Sequence, residues 1–211
     1  MAQNIDLQSI FQTVTKELSQ KKADLNKADT YNHDHGDHMV QIFELVQNAV
    51  SKKSNQPASD QLAYASHVVE EKAHSGSAKL YAQGLSKAAS NLQGKDLNAE
   101  SIGDLVKGLM NVDQPSTPTQ VQEDQGGLLG SLLSGLTGKD TGGDTDQQFG
   151  VDEILRAGLA FYQSKQEGDT NTEAIMDALM AASPMGEVTH RSQSGTLVAQ
   201  TIMNFAKNFK R

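Results

Sequence analysis

The chain has 211 residues, a formal net charge of −8 and a pI near 5.2, so its length allows one substantial domain or two small ones. This acidic balance, without a basic cluster, argues against nucleic-acid binding, because little would neutralise the phosphates. The absence of cysteine excludes disulfides, zinc–thiolate sites and cysteine nucleophiles. Because neither a signal peptide nor an apolar run of membrane-spanning length is evident, we expect a cytoplasmic protein without a membrane span.

Apolar residues recur with the 3.6-residue period of amphipathic helices along most of the chain, whereas the two-residue alternation of strands is almost absent. The first predicted helix covers about residues 5–24, and the second begins directly after a histidine-rich segment. Five apolar stripes fall in the first half of the chain, and they begin at Leu7, Met39, Leu62, Ala78 and Ile102. Each stripe predicts one helix with a buried face.

A change of composition follows the fifth helix, where residues 114–150 hold eight of the 18 glycines together with Pro115 and Pro118. This composition predicts a loop insertion. A loop of this length within a compact domain points to either function or disorder. Inside it, the apolar segment 126–138 has three open interpretations: a short docking helix, a self-association patch, or one apolar turn of a mobile insertion.

The helical period resumes after the insertion, with stripes that begin at Val151, Ile175 and Leu197. Ser183-Pro184 is expected to end the seventh helix, because the residue before a proline disfavours helical geometry. We therefore predict an all-α fold, with residues 1–211 forming a single domain of eight helices. The insertion 114–150 lies between the fifth and sixth helices.

The segment NHDHGDHM, residues 32–39, contains three of the six histidines and has two interpretations. Read as H-x-H-x-D-H, it matches the zinc motif of metallo-β-lactamase-type hydrolases, with ligands at His33, His35, Asp37 and His38. That motif follows a buried strand, whereas the preceding residues here are polar and the following ones form an amphipathic helix. These flanks disfavour a metallo-hydrolase. A non-catalytic site that binds zinc or nickel through neighbouring imidazoles stays open.

The same segment, read as D-H-G-x-x-M from Asp34 to Met39, resembles the D-H-G-x-N-M that opens a helix in the nucleotide-binding L domain (DhaL-type) of dihydroxyacetone kinases. Further segments resemble that family in the same order: SGSAKLYAQGL (75–85) its G-A-S-G-P-L-F/Y-G, IMDAL (175–179) its T-M-x-D-A-L, and SQSGT (192–196) its D-P-G-A-T. The resemblance spans most of the chain outside the insertion. It implies an antiparallel barrel of eight helices that binds a magnesium-bound adenine nucleotide.

The resemblance also implies where the nucleotide would bind, because helix N-termini offer unpaired N–H groups and the positive end of a dipole to phosphates. The residues implied for the phosphates, base and ribose are His35, Gly36, Asp37, His38, Gly76, Ser77, Met176, Ser194, Gly195 and Thr196. Those implied for Mg²⁺ are Asp34, Asn32, Asp29 and Asp37, since carboxylates hold this hard cation beside phosphates. ADP or ATP and Mg²⁺ are the expected cofactors.

The resemblance implies a phosphotransferase subunit of the glycerone kinase type. Because the chain contains no substrate-binding domain, a separate partner protein would hold dihydroxyacetone or a similar small substrate. Aligned on His35 and Gly36, the family's first two metal aspartates fall on Lys27 and Asn32, and a later aspartate falls on Gln193. A catalytically inactive relative, used for binding or assembly, therefore stays open beside the phosphotransferase.

Overall fold

The computed structural model of the chain describes residues 5–98, 101–111 and 178–209. Contacts within the chain define two compact units, one formed by Met1–Val112 with Ser183–Arg211 and the other by Asp113–Ala182. Three features of the sequence analysis lie outside the described residues: the predicted insertion 114–150, its apolar segment 126–138, and Met176. The site described below belongs entirely to the first unit.

All regular elements in the described residues are helical, which confirms the predicted all-α class. The α-helices described are α1 (Leu7–Ala28), α2 (His35–Lys52), α3 (Ala58–Lys72), α4 (Gly76–Asn91), α5 (Ile102–Leu109) and α6 (Thr189–Phe209). A short 3₁₀ turn, Pro184–Glu187, precedes α6. Residues 178–181 are also helical, and this helix stops before Ser183 as the following proline predicts. Over these ranges no helix is long and apolar enough to cross a membrane.

The predicted apolar stripes of the described helices form the core. The largest shielded side chains come from all of the first five helices and include Ile10, Phe11, Leu18, Met39, Ile42, Phe43, Leu62, Tyr81, Leu85, Ile102 and Leu105. At its centre, Phe43 lies between Phe11 and Tyr81, with ring centroids 6.2 and 5.0 Å away. Each such side chain stabilises the fold by about 1.5–3 kcal/mol through removal of apolar surface from water.

The helices of the first unit contact one another in a closed sequence. Helix α1 packs on α2, α2 on α3, α3 on α4, α4 on α5, α5 on α6, and α6 returns to α1. Glycines allow the closest of these crossings: a Cβ on Gly84 or Gly108 would collide with the facing backbone of α5 or α4. A Cβ on Gly36 would likewise collide with the carbonyl oxygen of Lys22 on α1. The start of α2 is thereby held tightly against α1.

Candidate functional site

The turn between α1 and α2 directs one carboxylate inwards. Asp29, the residue after α1, is only 3 % exposed, and its carboxylate accepts a hydrogen bond from the N–H of Tyr31 at 3.1 Å. His33 completes the reversal with a positive φ of 58°, a conformation that histidine adopts more readily than most residues. Burial alone would raise the pKa of Asp29, but the Tyr31 N–H, the nearby His190 and further backbone N–H groups outweigh it and lower that pKa.

The start of α2 is capped from a neighbouring helix. Asn26 on α1 accepts hydrogen bonds from the N–H groups of Gly36 and Asp37 through one oxygen, at 2.6 and 3.2 Å. Its amide nitrogen donates to the Asp37 carboxylate at 2.7 Å, and Lys22 pairs with the same carboxylate at 2.8 Å. The Lys22 hydrogen bond, followed by that of Asn26, lowers the pKa of Asp37. Two N–H groups of the α2 start are therefore already bonded within the protein.

His35 points away from this cap and into the interior. It is 4 % exposed, and its Nε2 atom lies 2.9 Å from the hydroxyl oxygen of Ser194 on α6. Its ring packs against that of His190, with centroids 4.6 Å apart, and Nδ1 of His190 lies 3.8 Å from the Asp29 carboxylate. A chain of polar side chains thus runs from the α1–α2 turn to α6.

The protonation of this chain follows from its contacts. Ser194 also contacts the carbonyl oxygen of Arg191 at 3.0 Å, and its hydroxyl has one hydrogen to donate. Both contacts are satisfied together when Nε2 of His35 carries a proton and donates to Ser194. Burial, followed by the charges of His190 and Arg191, lowers the pKa of His35 to about 4. At neutral pH, His35 therefore offers a hydrogen bond but no positive charge.

The start of α4 lies close to a cation of α6. Ser75 caps α4 by accepting from the N–H of Ala78 at 3.1 Å. A Cβ built on Gly76 would lie 2.6 Å from the Nη2 atom of Arg191, so the guanidinium occupies the space that a side chain at this position would fill. Gly76 itself is exposed, and Arg191 is half-buried. This end of the site is therefore open to solvent.

A narrow cleft, too tight to admit a water molecule, lies beside Arg191. The residues that line it come from α4, α6 and the 3₁₀ turn: Ser77, Leu80, Tyr81, Met185, Arg191 and Ser194. The hydroxyl of Tyr81 and the Nε atom of Arg191 are both buried, and neither is in hydrogen-bond geometry with another described residue, although Ser194 is close enough to the Tyr81 hydroxyl to affect its pKa. Burial raises the pKa of Tyr81 far above its usual range, so the phenol stays protonated. Unbonded buried donors are rare in proteins and call for an explanation.

The residues expected to hold Mg²⁺ do not fit such a site. Mg²⁺ needs oxygen ligands that converge in near-octahedral geometry. Instead, Asp37 pairs with Lys22, the Asp34 carboxylate lies 3.2 Å from Nδ1 of His38, and Asp29 faces the interior. Within residues 5–98, 101–111 and 178–209 there is no group of three or more histidine and acidic side chains that could hold a metal ion. The magnesium site stays a prediction.

The residues of the H-x-H-x-D-H motif also face different partners. His33 is exposed in the turn and His35 contacts Ser194. Asp37 pairs with Lys22, and His38 lies beside Asp34. In this arrangement the four side chains do not converge on one ion, which agrees with the flanking sequence in disfavouring a zinc hydrolase.

The structure brings together three of the segments that the sequence singled out. His35 of the first contacts Ser194 of the last, while Gly76 and Ser77 lie beside Arg191 and the cleft. Gly195 is buried and Thr196 half-buried next to Ser194 on α6. Asn32, in the turn before α2, is exposed.

Four residues that line or support the site were not predicted as site residues: Asn26, Tyr81, His190 and Arg191. For two of them the sequence does hold a signal, because His190 and Arg191 lie one helical turn before Ser194 and Gly195 and so share their side of α6. Asn26 and Tyr81 carry no comparable signal, since their roles depend on which helices pack together.

The chain was also compared with known proteins. Neither models of protein families, nor curated proteins, nor solved structures gave a match. The chemistry of the site therefore has to be inferred from its own geometry.

Proposed function

We propose that the chain is a helical domain of the dihydroxyacetone kinase L type that binds the phosphates of an adenine nucleotide at the start of α4, next to the first turn of α6. The observation that carries this proposal is the convergence of three segments that lie far apart in the sequence. His35 contacts Ser194 at 2.9 Å, and Gly76 lies against Arg191. These segments are three of those that carry the family resemblance, and a shared ligand explains why they would meet.

The chemistry of the α4 start supports phosphate binding. The first turn of a helix has N–H groups without intrahelical partners. In α4, the N–H of Ala78 is bonded to Ser75, which leaves those of Gly76 and Ser77 for a ligand. The guanidinium of Arg191 is beside them, and Ser77 lines the adjoining cleft. Backbone donors, a helix dipole and a guanidinium together form a typical environment for phosphate.

The proposal includes a single domain built as an antiparallel barrel of eight helices. The closed sequence of contacts from α1 through α6 and back to α1 supports this architecture. The stripes at Val151 and Ile175, which predict the two further helices, begin outside the described residues.

Binding is supported better than phosphoryl transfer. As a phosphotransferase subunit, the domain would act on dihydroxyacetone or a similar substrate held by a separate partner protein. One observation favours the inactive relative as a second candidate: Asp34 and Asp37, expected at the metal, are engaged with His38 and with Lys22. On that proposal the domain binds a nucleotide without transferring its phosphate, and segment 126–138 serves for assembly.

A thermal-shift series tests nucleotide binding. ATP and ADP, with and without Mg²⁺, are expected to raise the melting temperature, whereas adenosine leaves it unchanged. By mass action, a ligand at 100 times its Kd stabilises by about 2.7 kcal/mol. Gly76→Val places a side chain between the α4 start and Arg191 and should weaken binding at least tenfold. Gly103→Val is the matched control, because a Cβ at Gly103 on α5 meets no described residue within 4 Å.

The same series can refute the proposal. If millimolar ATP and ADP leave the melting temperature unchanged, with and without Mg²⁺, the proposal that the chain binds an adenine nucleotide is refuted. Equal binding by Gly76→Val and Gly103→Val would show that any nucleotide bound lies elsewhere.

A further inference from the structure

The carboxylates near the proposed site have their charges balanced within the protein. Asp37 has Lys22 at 2.8 Å and Asn26 at 2.7 Å, and Asp34 has His38 at 3.2 Å. Asp29 is buried and bonded to the turn that follows it. To bind a divalent cation, these three side chains would have to leave their partners and turn towards one point. The donor set therefore does not offer a magnesium ion the site that the family resemblance implies.

A fixed positive charge, the guanidinium of Arg191, lies at the α4 start. Its Nη2 atom lies 2.6 Å from where a Cβ of Gly76 would be, so it sits beside the first N–H groups of α4. A cation is unfavourable there, because the N-terminus of a helix is the positive end of its dipole. An anion between the guanidinium and the helix would interact favourably with both.

Two buried donors lie close to this position. Among the described residues, the Nε atom of Arg191 and the hydroxyl of Tyr81, which is 2 % exposed, have no partner in hydrogen-bond geometry. Both residues line the cleft that also contains Ser77 and Ser194. An oxyanion at the mouth of this cleft would accept from Arg191 and from the first N–H groups of α4.

From these observations we infer that Arg191 and the α4 start, beside the buried Tyr81 hydroxyl, bind a phosphate oxyanion without a divalent cation, with Arg191 supplying the positive charge. This inference rests on the proposed function where the phosphate belongs to a nucleotide. Free phosphate offers the same oxygens. Magnesium covers the phosphate oxygens that Arg191 and the backbone would contact, so it competes with the site instead of completing it.

Calorimetric titration of the full chain tests the inference. ATP, ADP and inorganic phosphate are titrated separately, first in EDTA and then with excess Mg²⁺. We expect ATP or ADP to bind in EDTA and to bind several-fold more weakly with Mg²⁺. Arg191→Gln is expected to lose at least tenfold in affinity in EDTA, and Arg191→Lys to lose less. Lys79→Gln is the matched control, because this exposed lysine of α4 lies outside the cleft and lines the groove shared with α3.

Each outcome supports or overturns the inference. Binding that requires Mg²⁺ and is lost in Asp34→Asn would overturn it while leaving nucleotide binding intact. Equal losses in Arg191→Gln and Lys79→Gln would also overturn it, since they would indicate a general charge effect. If inorganic phosphate binds, only Arg191→Gln abolishes this binding, and neither ATP nor ADP binds, the oxyanion site is supported and the proposed function is refuted. Circular dichroism checks that Arg191→Gln is folded, and Arg191→Lys keeps the test valid if it is not.

Discussion

Replacing His35 by glutamine is expected to remove an acid-sensitive contribution to the stability of the fold. Burial and the neighbouring charges lower the pKa of His35 from 6.5 to about 4. The unfolded chain therefore takes up this proton as the pH falls through 6.5, whereas the folded chain takes it up only near pH 4. The stability is complete above the unfolded value and is lost as the pH falls from 6.5 towards 4.

The size of this loss follows from the shift. At 1.36 kcal/mol for each pKa unit, a change from 6.5 to about 4 corresponds to about 3 kcal/mol. Natural domains are stable by roughly 5–15 kcal/mol, so the loss is a large share of the total. The lowered pKa of Asp29 adds a further loss, but only at lower pH, because that group starts from a value of 3.8. The window between pH 6.5 and 4 therefore reports mainly on His35.

Urea denaturation followed by circular dichroism, between about pH 7.5 and pH 4.5, measures the effect. Glutamine can still donate a hydrogen bond to Ser194 but does not titrate, so the difference between wild type and His35→Gln should shrink as the pH falls. His67→Gln is the matched control, because His67 is exposed on α3. Parallel pH profiles for wild type and His35→Gln would refute a neutral, buried His35.

Three further predictions concern stability, measured by the same denaturation at neutral pH. Gly36→Ala should destabilise the fold by about 1–3 kcal/mol, because its Cβ would meet the Lys22 carbonyl oxygen. Gly103→Ala should stabilise the fold by about 0.5–1 kcal/mol, because its Cβ would meet no described residue within 4 Å. Equal effects of the two substitutions would contradict the close crossing of α1 and α2. Asn26→Ala removes the cap of α2 and should cost about 1 kcal/mol, and no change would contradict the cap. Ser183→Ala should lower the free energy of unfolding by about 1–3 kcal/mol, because the buried hydroxyl donates to the carbonyl oxygen of Met110 and accepts from the N–H of Met185 in the 3₁₀ turn. An unchanged stability would show that these two hydrogen bonds are dispensable.

The sequence was most informative where a physical pattern is local. The periodic stripes predicted the helices because each helix buries one face, and Ile10, Phe43 and Leu105 lie in the core as their spacing requires. The end of the helix before Ser183 follows from its proline neighbour alone. Such features depend on a few adjacent residues, so a single sequence suffices to predict them.

Contacts between distant helices were beyond the sequence. Nothing near Asn26 indicates that it caps α2, because that role depends on how closely α1 crosses Gly36. The position of Arg191 over Gly76 likewise depends on how the fold brings the starts of α4 and α6 together, across more than a hundred residues of chain. The predicted metal ligands show the converse: the family resemblance implied a shared site, whereas the structure gives Asp34 and Asp37 different partners.

The most direct test of the proposed phosphate site is an ATP titration of the ¹⁵N-labelled chain in EDTA, followed through its backbone amide resonances. We expect the largest changes in amide chemical shift at Gly76 and Ser77, with smaller changes at Arg191 and Ser194. Adenosine should leave these resonances in place. Changes confined to the groove between α3 and α4, around Ser66 and other residues on that side, or no changes at millimolar ATP, would contradict it.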